Sequence, residues 1–291
     1  ATTTGTVAID TSTFASIDGG RAGGDNIVSL AESQAGVTLT GNTEPGAAVV
    51  VTVAGVSRTA TVDSSGNWSA QFESGSIADG QYDTTVSVTA TDIAGNTYTT
   101  SETLSIDTVG PPIAVDTVET DDIINAAEAA DGVVLTGTGE AGASIEVTFQ
   151  GETQTTTVAD DGSWTVNYAA STIAAGTYDS TVSVTSVDAV GNSSTTTHSV
   201  TVDTETSVTL DSALAGDGVI NSAEHSAGVT LTGTAEAGAT VVVTLDSVSH
   251  TVIADSSGNW SSGFSSSEIT SGTYNAAISA ISTDLAGNTA T

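Results

Sequence analysis

Residues 144–150 read SIEVTFQ and residues 85–91 read TVSVTAT, and the fold turns on these two stretches. In the first, Ile145, Val147 and Phe149 alternate with polar residues; in the second, Val86 and Val88 alternate with Ser and Thr. A period of two with β-branched residues means strands that bury one face. Short runs of this kind recur along the whole chain, helical periodicity is absent, and the expected class is all-β.

The runs are copies of one another. Trp68, Trp164 and Trp260 are 96 residues apart, as are Gly41, Gly137 and Gly233, Tyr82, Tyr178 and Tyr274, and Gly95, Gly191 and Gly287. Self-similarity at a fixed period identifies tandem modules. Each copy runs from VTLTG or VVLTG through a Glu-containing turn, a β-branched run, a hairpin before the Trp, a Gly-Thr-Tyr or Gly-Gln-Tyr corner and a TVSVTATD-like strand to a DxxGN turn. About seven short strands per copy, with turn signals every 8 to 12 residues, read as an antiparallel sandwich of immunoglobulin type. Each Trp is expected in a core, with Ala70 and Phe72, or Val166 and Tyr168, pointing the same way.

The expected domains are modules at 10–106, 107–202 and 203–291, strung as an elongated rod of three immunoglobulin-like sandwiches. Residues 1–9 match the last strand of a preceding module, and the third copy stops where the others continue as that strand. This pattern fits either an array cut inside a module or a strand donated between chains.

Composition removes several functions. The 291 residues carry 2 basic and 35 acidic side chains, a net charge of −33. Such a surface repels phosphates and anionic headgroups, so neither nucleic-acid binding nor electrostatic membrane attachment is expected. With no cysteine there is no disulfide or thiolate metal site, and with Arg21 and Arg58 as the only basic residues there is no lysine chemistry. No apolar run approaches the roughly 18 residues of a membrane helix.

The acids recur by position. One set ends each module (Asp10, Asp107, Asp203), and a second follows eight or nine residues later (Asp18, Asp116, Asp211). A third is a pair seven apart: Asp25 with Glu32, Asp121 with Glu128 (and Asp122 beside it), Asp217 with Glu224. A fourth opens the DxxGN turn: Asp92, Asp188 and Asp284. On an immunoglobulin sandwich, Asp107, Asp116, Asp121 and Asp188 are expected to converge at the second module's entrance. Carboxylates so placed repel by several kcal/mol unless a cation intervenes. Hard oxygen donors in this number suit Ca²⁺ better than Mg²⁺. DGVINSAE (217–224) also matches the second half of an EF-hand loop, but Ala213 and Ala215 stand where its first ligands belong. Glu44, Glu140 and Glu236 point to the same end and are read as turn residues.

No catalytic residues are expected. His198, His225 and His250 occupy non-equivalent positions, are read as surface residues, and have no repeated Ser or Asp partner.

At the TGxxExGA turn, the GNW hairpin, the GTY corner and the DxAGN turn, the chain resembles the bacterial Ig-like repeats of giant calcium-dependent surface adhesins exported by type I secretion. The resemblance implies an extracellular or biofilm-matrix stalk whose partners are neighbouring repeats or other copies of itself, with a host or matrix ligand bound by regions outside this chain. It also implies Ca²⁺ at the junctions, held by the linker and turn acids. The chain departs from the pattern at Val190, where Ala is usual, and in its last linker, DTETS, which lacks the prolines of DTVGPP (107–112). Two further functions are consistent with the sequence: a filament subunit donating residues 1–9 to the third module of the next chain, and a carbohydrate- or receptor-binding module.

Overall fold

The computed structural model describes residues 2–19, 21–212 and 217–291, and the alternating runs form strands as read. In the first repeat the chain passes through β1 (Ala15–Ile17), β2 (Ile27–Val28), α1 (Leu30–Ala35), β3 (Val37–Thr43), β4 (Ala48–Val53), β5 (Val56–Thr59), β6 (Thr61–Val62), β7 (Asn67–Phe72), β8 (Gln81–Thr91) and β9 (Thr97–Asp107). One sheet has the order β1-β3-β7-β6 and the other β2-β9-β8-β4-β5. Inward side chains of β4, β7 and β8, among them Val49, Val51, Trp68, Phe72, Val86 and Val88, fill one core. Separate cores follow around Trp164 and around Trp260. The expected partners of the Trp, Ala70, Phe72, Val166 and Tyr168, are buried with it.

Two of the 96-residue recurrences meet in space. Gly41 lies opposite Trp68, Gly137 opposite Trp164 and Gly233 opposite Trp260. A Cβ on Gly137 would sit 2.1 Å from the Ala114 carbonyl oxygen and 2.4 Å from the indole, so only glycine lets the first strand close over the ring. The recurring Tyr closes a corner: Tyr82 Oη donates to Ala78 O at 2.7 Å and Tyr178 Oη to Ala174 O at 2.9 Å. Position 26, 122 or 218 is left-handed in all three repeats (φ 68°, 64° and 81°), and its occupants are Asn, Asp and Gly, the residues that tolerate it best.

Three short helices correct the expectation of no helix: α1, α2 (Ala126–Asp131) and α3 (Ser222–Ala227). Each has six residues, under two turns, too short to show a 3.6 period. Their sequence signal is a capping box instead: Ser29 with Glu32, Asn125 with Glu128, Asn221 with Glu224.

The third repeat differs from its neighbours. Ile27–Val28 and Ile123–Ile124 pair in parallel with the last strand of their own repeats. No such pairing occurs in the third among the described residues, and Val219 is 63% exposed. No helix of the described residues is long and apolar enough to cross a membrane.

Candidate metal centre

The DxxGN turn builds the floor of the site. In each copy one Asp oxygen accepts the backbone N–H of the Asn four residues on, at 2.8 to 2.9 Å, and the other accepts the Asn Nδ2 at 2.7 to 2.9 Å. The carboxylate is thereby fixed within its turn. Asp92 and Asp284 are buried, and the Asn96 side chain holds Asp92 below the usual carboxylate range.

Two sets of three carboxylates then converge. Asp10, Glu44 and Asp92 each bring a carboxylate oxygen within 4.8 Å of the others, and Asp203, Glu236 and Asp284 do the same. At that separation each ionised pair repels by on the order of 3 kcal/mol at an effective dielectric near 20. Burial, reinforced by Asp203 and Asp284, pushes the Glu236 carboxyl above its ordinary range. No protein cation answers these charges: the ion pairs among the described residues are Arg21–Glu102, His198–Asp122 and His250–Glu268. Three residues after the linker Asp of each set, a Thr hydroxyl, Thr13 or Thr206, is buried without a hydrogen-bond partner. The donor set is therefore entirely hard oxygen, with spare lone pairs in both copies, which is the chemistry of a Ca²⁺ site.

The equivalent acids of the second repeat are not grouped in this way. Glu140 is exposed, and the Asp107 carboxylate accepts from Gln81 Nε2 at 3.2 Å and from the Val109 N–H at 3.3 Å. Gly110 stands where Thr13 and Thr206 stand in the other copies.

The remaining sequence candidates lie elsewhere. The four carboxylates expected at the second repeat's entrance are divided along its length. Asp107 and Asp188 lie at the entrance. Asp116 bonds Thr136 midway along the sheet, and Asp121 precedes the pairing of Ile123 with Thr201 near the exit. The reason is that the first strand crosses the whole sandwich before the helix begins. Asp18, Asp116 and Asp211 accept cross-strand hydrogen bonds from Thr40, Thr136 and Thr232 at 2.7, 2.8 and 2.5 Å. Asp25, Asp121 and Asp217 each cap the N–H two residues on. Glu32, Glu128 and Glu224 bond the N-cap N–H of their own helices. These acids have local duties that explain their recurrence by position. Asp122 accepts from Val118 N–H and pairs with His198 Nε2 at 2.7 Å, which holds its carboxyl below the usual range. Ala213 and Ala215 of the EF-hand comparison lie outside the described residues.

Sequence reasoning set Glu44 and Glu236 aside as turn residues, although their 96-residue spacing is the same signal that picked out the Asp residues. The histidines also differ from the surface reading: His198 pairs with Asp122, and His250 pairs with Glu268 at 2.8 Å while stacking on Phe264. His225 Nε2 lies 2.9 Å from Ile269 O.

Residues 4–108 match the family model of the bacterial Ig-like domain and residues 122–203 that of the bacterial Ig domain, together well over half of the chain. Among solved structures, the chain is similar to part of a 1.5-MDa bacterial ice-binding adhesin (29% identity over 97% of this chain and 96% of that one, TM-score 0.47). It is similar to a Ca²⁺-stabilized adhesin of an Antarctic bacterium (32% identity over 98% of this chain and 72% of that one, TM-score 0.46). It is also similar to a tetra-tandem repeat from the extending region of a large adhesion protein (25% identity over 95% and 72%, TM-score 0.34). No curated protein matches the chain.

Proposed function

The chain belongs to the bacterial immunoglobulin-like repeats, and from that premise we propose that it is a length of extracellular adhesin stalk whose joints are stiffened by Ca²⁺. The observation that carries this reading is the pair of carboxylate triples at equivalent places, with no side-chain cation to neutralise either. Asp203 belongs to the strand leaving the second repeat, whereas Glu236 and Asp284 belong to the third. A divalent cation held by all three ties neighbouring repeats together and removes the repulsion between them. Asp10 takes the same part with Glu44 and Asp92 at the first repeat.

Bacterial Ig-like repeats serve as spacers, and the stiffness of a spacer sets its reach. The similarity to an adhesin's extending region and to a Ca²⁺-stabilized adhesin supports reach and calcium together. The partners on this reading are the neighbouring repeats.

Small-angle scattering of the chain in millimolar calcium and in chelator tests it. The maximum dimension is expected to be sharper and longer in calcium, with each repeat's melting changed less than the joint. An unchanged distance distribution, or calorimetry showing no calcium uptake, overturns the reading.

A further inference from the structure

The Asn of the DxxGN turn does more than complete its own loop. Asn192 Oδ1 accepts the Leu30 N–H at 2.8 Å, and its Nδ2 donates to the Asp107 carbonyl at 2.9 Å and to Asp188 Oδ2 at 2.9 Å. One joint later the same three contacts recur: Ala126 N–H to Asn288 Oδ1 at 2.7 Å, Asn288 Nδ2 to the Asp203 carbonyl at 2.7 Å and to Asp284 Oδ2 at 2.9 Å. Both amides are buried, at 3% and 6% exposure. Leu30 and Ala126 are the first residues of α1 and α2, and neither N–H is used by its own capping box. Asn96 holds Asp92 in the same way, its Nδ2 also reaches Asp10 Oδ1 at 3.4 Å, and it is less buried than its two counterparts.

We infer that Asn192 and Asn288 are metal-independent clasps, each locking a repeat onto the first turn of the preceding repeat's capped helix and onto the linker between them. The partner surface is another immunoglobulin-like repeat carrying a capping-box helix at its exit end. The clasp demands one donor and one acceptor in a fixed fork, and an amide supplies both while Asp supplies only acceptors. It also shares the Asp284 carboxylate and the Asp203 residue with the carboxylate triple, so ion and clasp act on one joint. The inference rests on the stalk reading for its purpose but not for its geometry.

The chain has no cysteine, so single Cys pairs can be spin-labelled cleanly at Thr59 with Thr155, and at Thr155 with Thr251, which are exposed and equivalent. In chelator, the distance distribution across each joint is expected to be narrow. Asn288→Ala is expected to at least double the width between 155 and 251 and leave that between 59 and 155 unchanged. Asn96→Ala, which weakens the same turn away from both measured joints, should change neither. Ala126→Pro removes only the clasped N–H at a helix position that accepts proline, and should reproduce the effect with the Trp fluorescence melt unchanged. A broad wild-type distribution in chelator overturns the clasp, as does a distribution that Ala126→Pro leaves narrow. Repeating both in calcium separates the two ideas: renewed narrowing of Asn288→Ala by calcium upholds the ion reading whatever the fate of the clasp. Failure of calcium to bind or narrow anything removes the ion reading and leaves the clasp standing on the chelator data.

Discussion

The two internal joints are built from the same repeat and come out differently. At the first, Gly110 packs so closely on the next turn that a Cβ would fall 2.4 Å from Ser193 O, and Pro111 and Pro112 follow. At the second, Thr206 replaces that glycine, and an open cleft of about 510 Å³ remains, bordered by Asn125, Thr204, Glu205 and Asn288. Asp107 accepts from Gln81 without joining a triple, whereas Asp203 accepts from the equivalent Thr177 at 2.8 Å and also converges with Glu236 and Asp284. The first joint has a proline-bearing linker and close backbone contact, whereas the second brings three carboxylates together. A repeated spacing in the sequence does not therefore guarantee a repeated site.

The cores beneath the joints should not share this difference. Gly137→Ala and Gly233→Ala are each expected to cost about 3 kcal/mol or more, since a methyl would overlap both a carbonyl oxygen and an indole. Thermal unfolding of the two variants should show equal losses; unequal ones would mean that the repeats differ in more than their joints.

The next largest effect separates the joints directly. Asp284→Asn is expected to weaken calcium binding at the second joint by about tenfold or more, since it removes one of three anionic ligands. Asp188→Asn, in the first joint, should leave the calorimetric isotherm nearly unchanged. Equal losses from both would mean that the two joints hold the ion alike.

A smaller effect follows from protonation. Glu236 has its folded-state carboxyl raised, chiefly by burial and then by Asp203 and Asp284. A raised group contributes stability that is fully present below its unfolded value and is lost as pH climbs through the folded one. In chelator, Glu236→Gln should therefore be more stable than the wild type at pH 7, and the gap should close as pH falls into the ordinary Glu range. Calcium should reverse the order at pH 7. Asp255 and Glu268 of the same repeat are held low by hydrogen bonds, chiefly from Asn259 and Ser265, with Glu268 at about 2. Both variants will thus lose stability together at lower pH, and the difference between them is the quantity to follow. A gap that persists to pH 4 would contradict the assignment.

The smallest change concerns the linker. Replacing Pro111 and Pro112 with Ala should broaden the first joint in scattering and cost about 0.5 to 1 kcal/mol per residue in chain entropy. Introducing prolines at the corresponding positions of the second linker should reduce its dependence on calcium.

Strands, cores and corners were legible because each rests on local alternation or on a residue type with one physical use, such as Gly41 opposite Trp68 or Tyr82 closing its own corner. The carboxylates were only partly so. Asp10, Asp92, Asp203 and Asp284 were picked out by recurrence, but so were Asp25 and Glu32, which cap their own backbone and do not join the triples. Recurrence marks any residue with a duty, and structural capping repeats as faithfully as ligand placement. Glu236 and Asn288 were passed over because a turn Glu and a turn Asn look alike whether or not another repeat lies above them.

By itself the sequence determined the all-β class, the 96-residue repeat, the acidic surface, the buried Trp and Gly and the corner Tyr, since these depend on neighbours within a few residues or one strand pair. Only the tertiary structure decided which acids meet, which joint is open and what the Asn amides touch. Those outcomes depend on distances of a few ångströms between segments that are 85 and 162 residues apart for the Asn amides and several strands apart for the acids. Local pattern carries no information about contacts over that range.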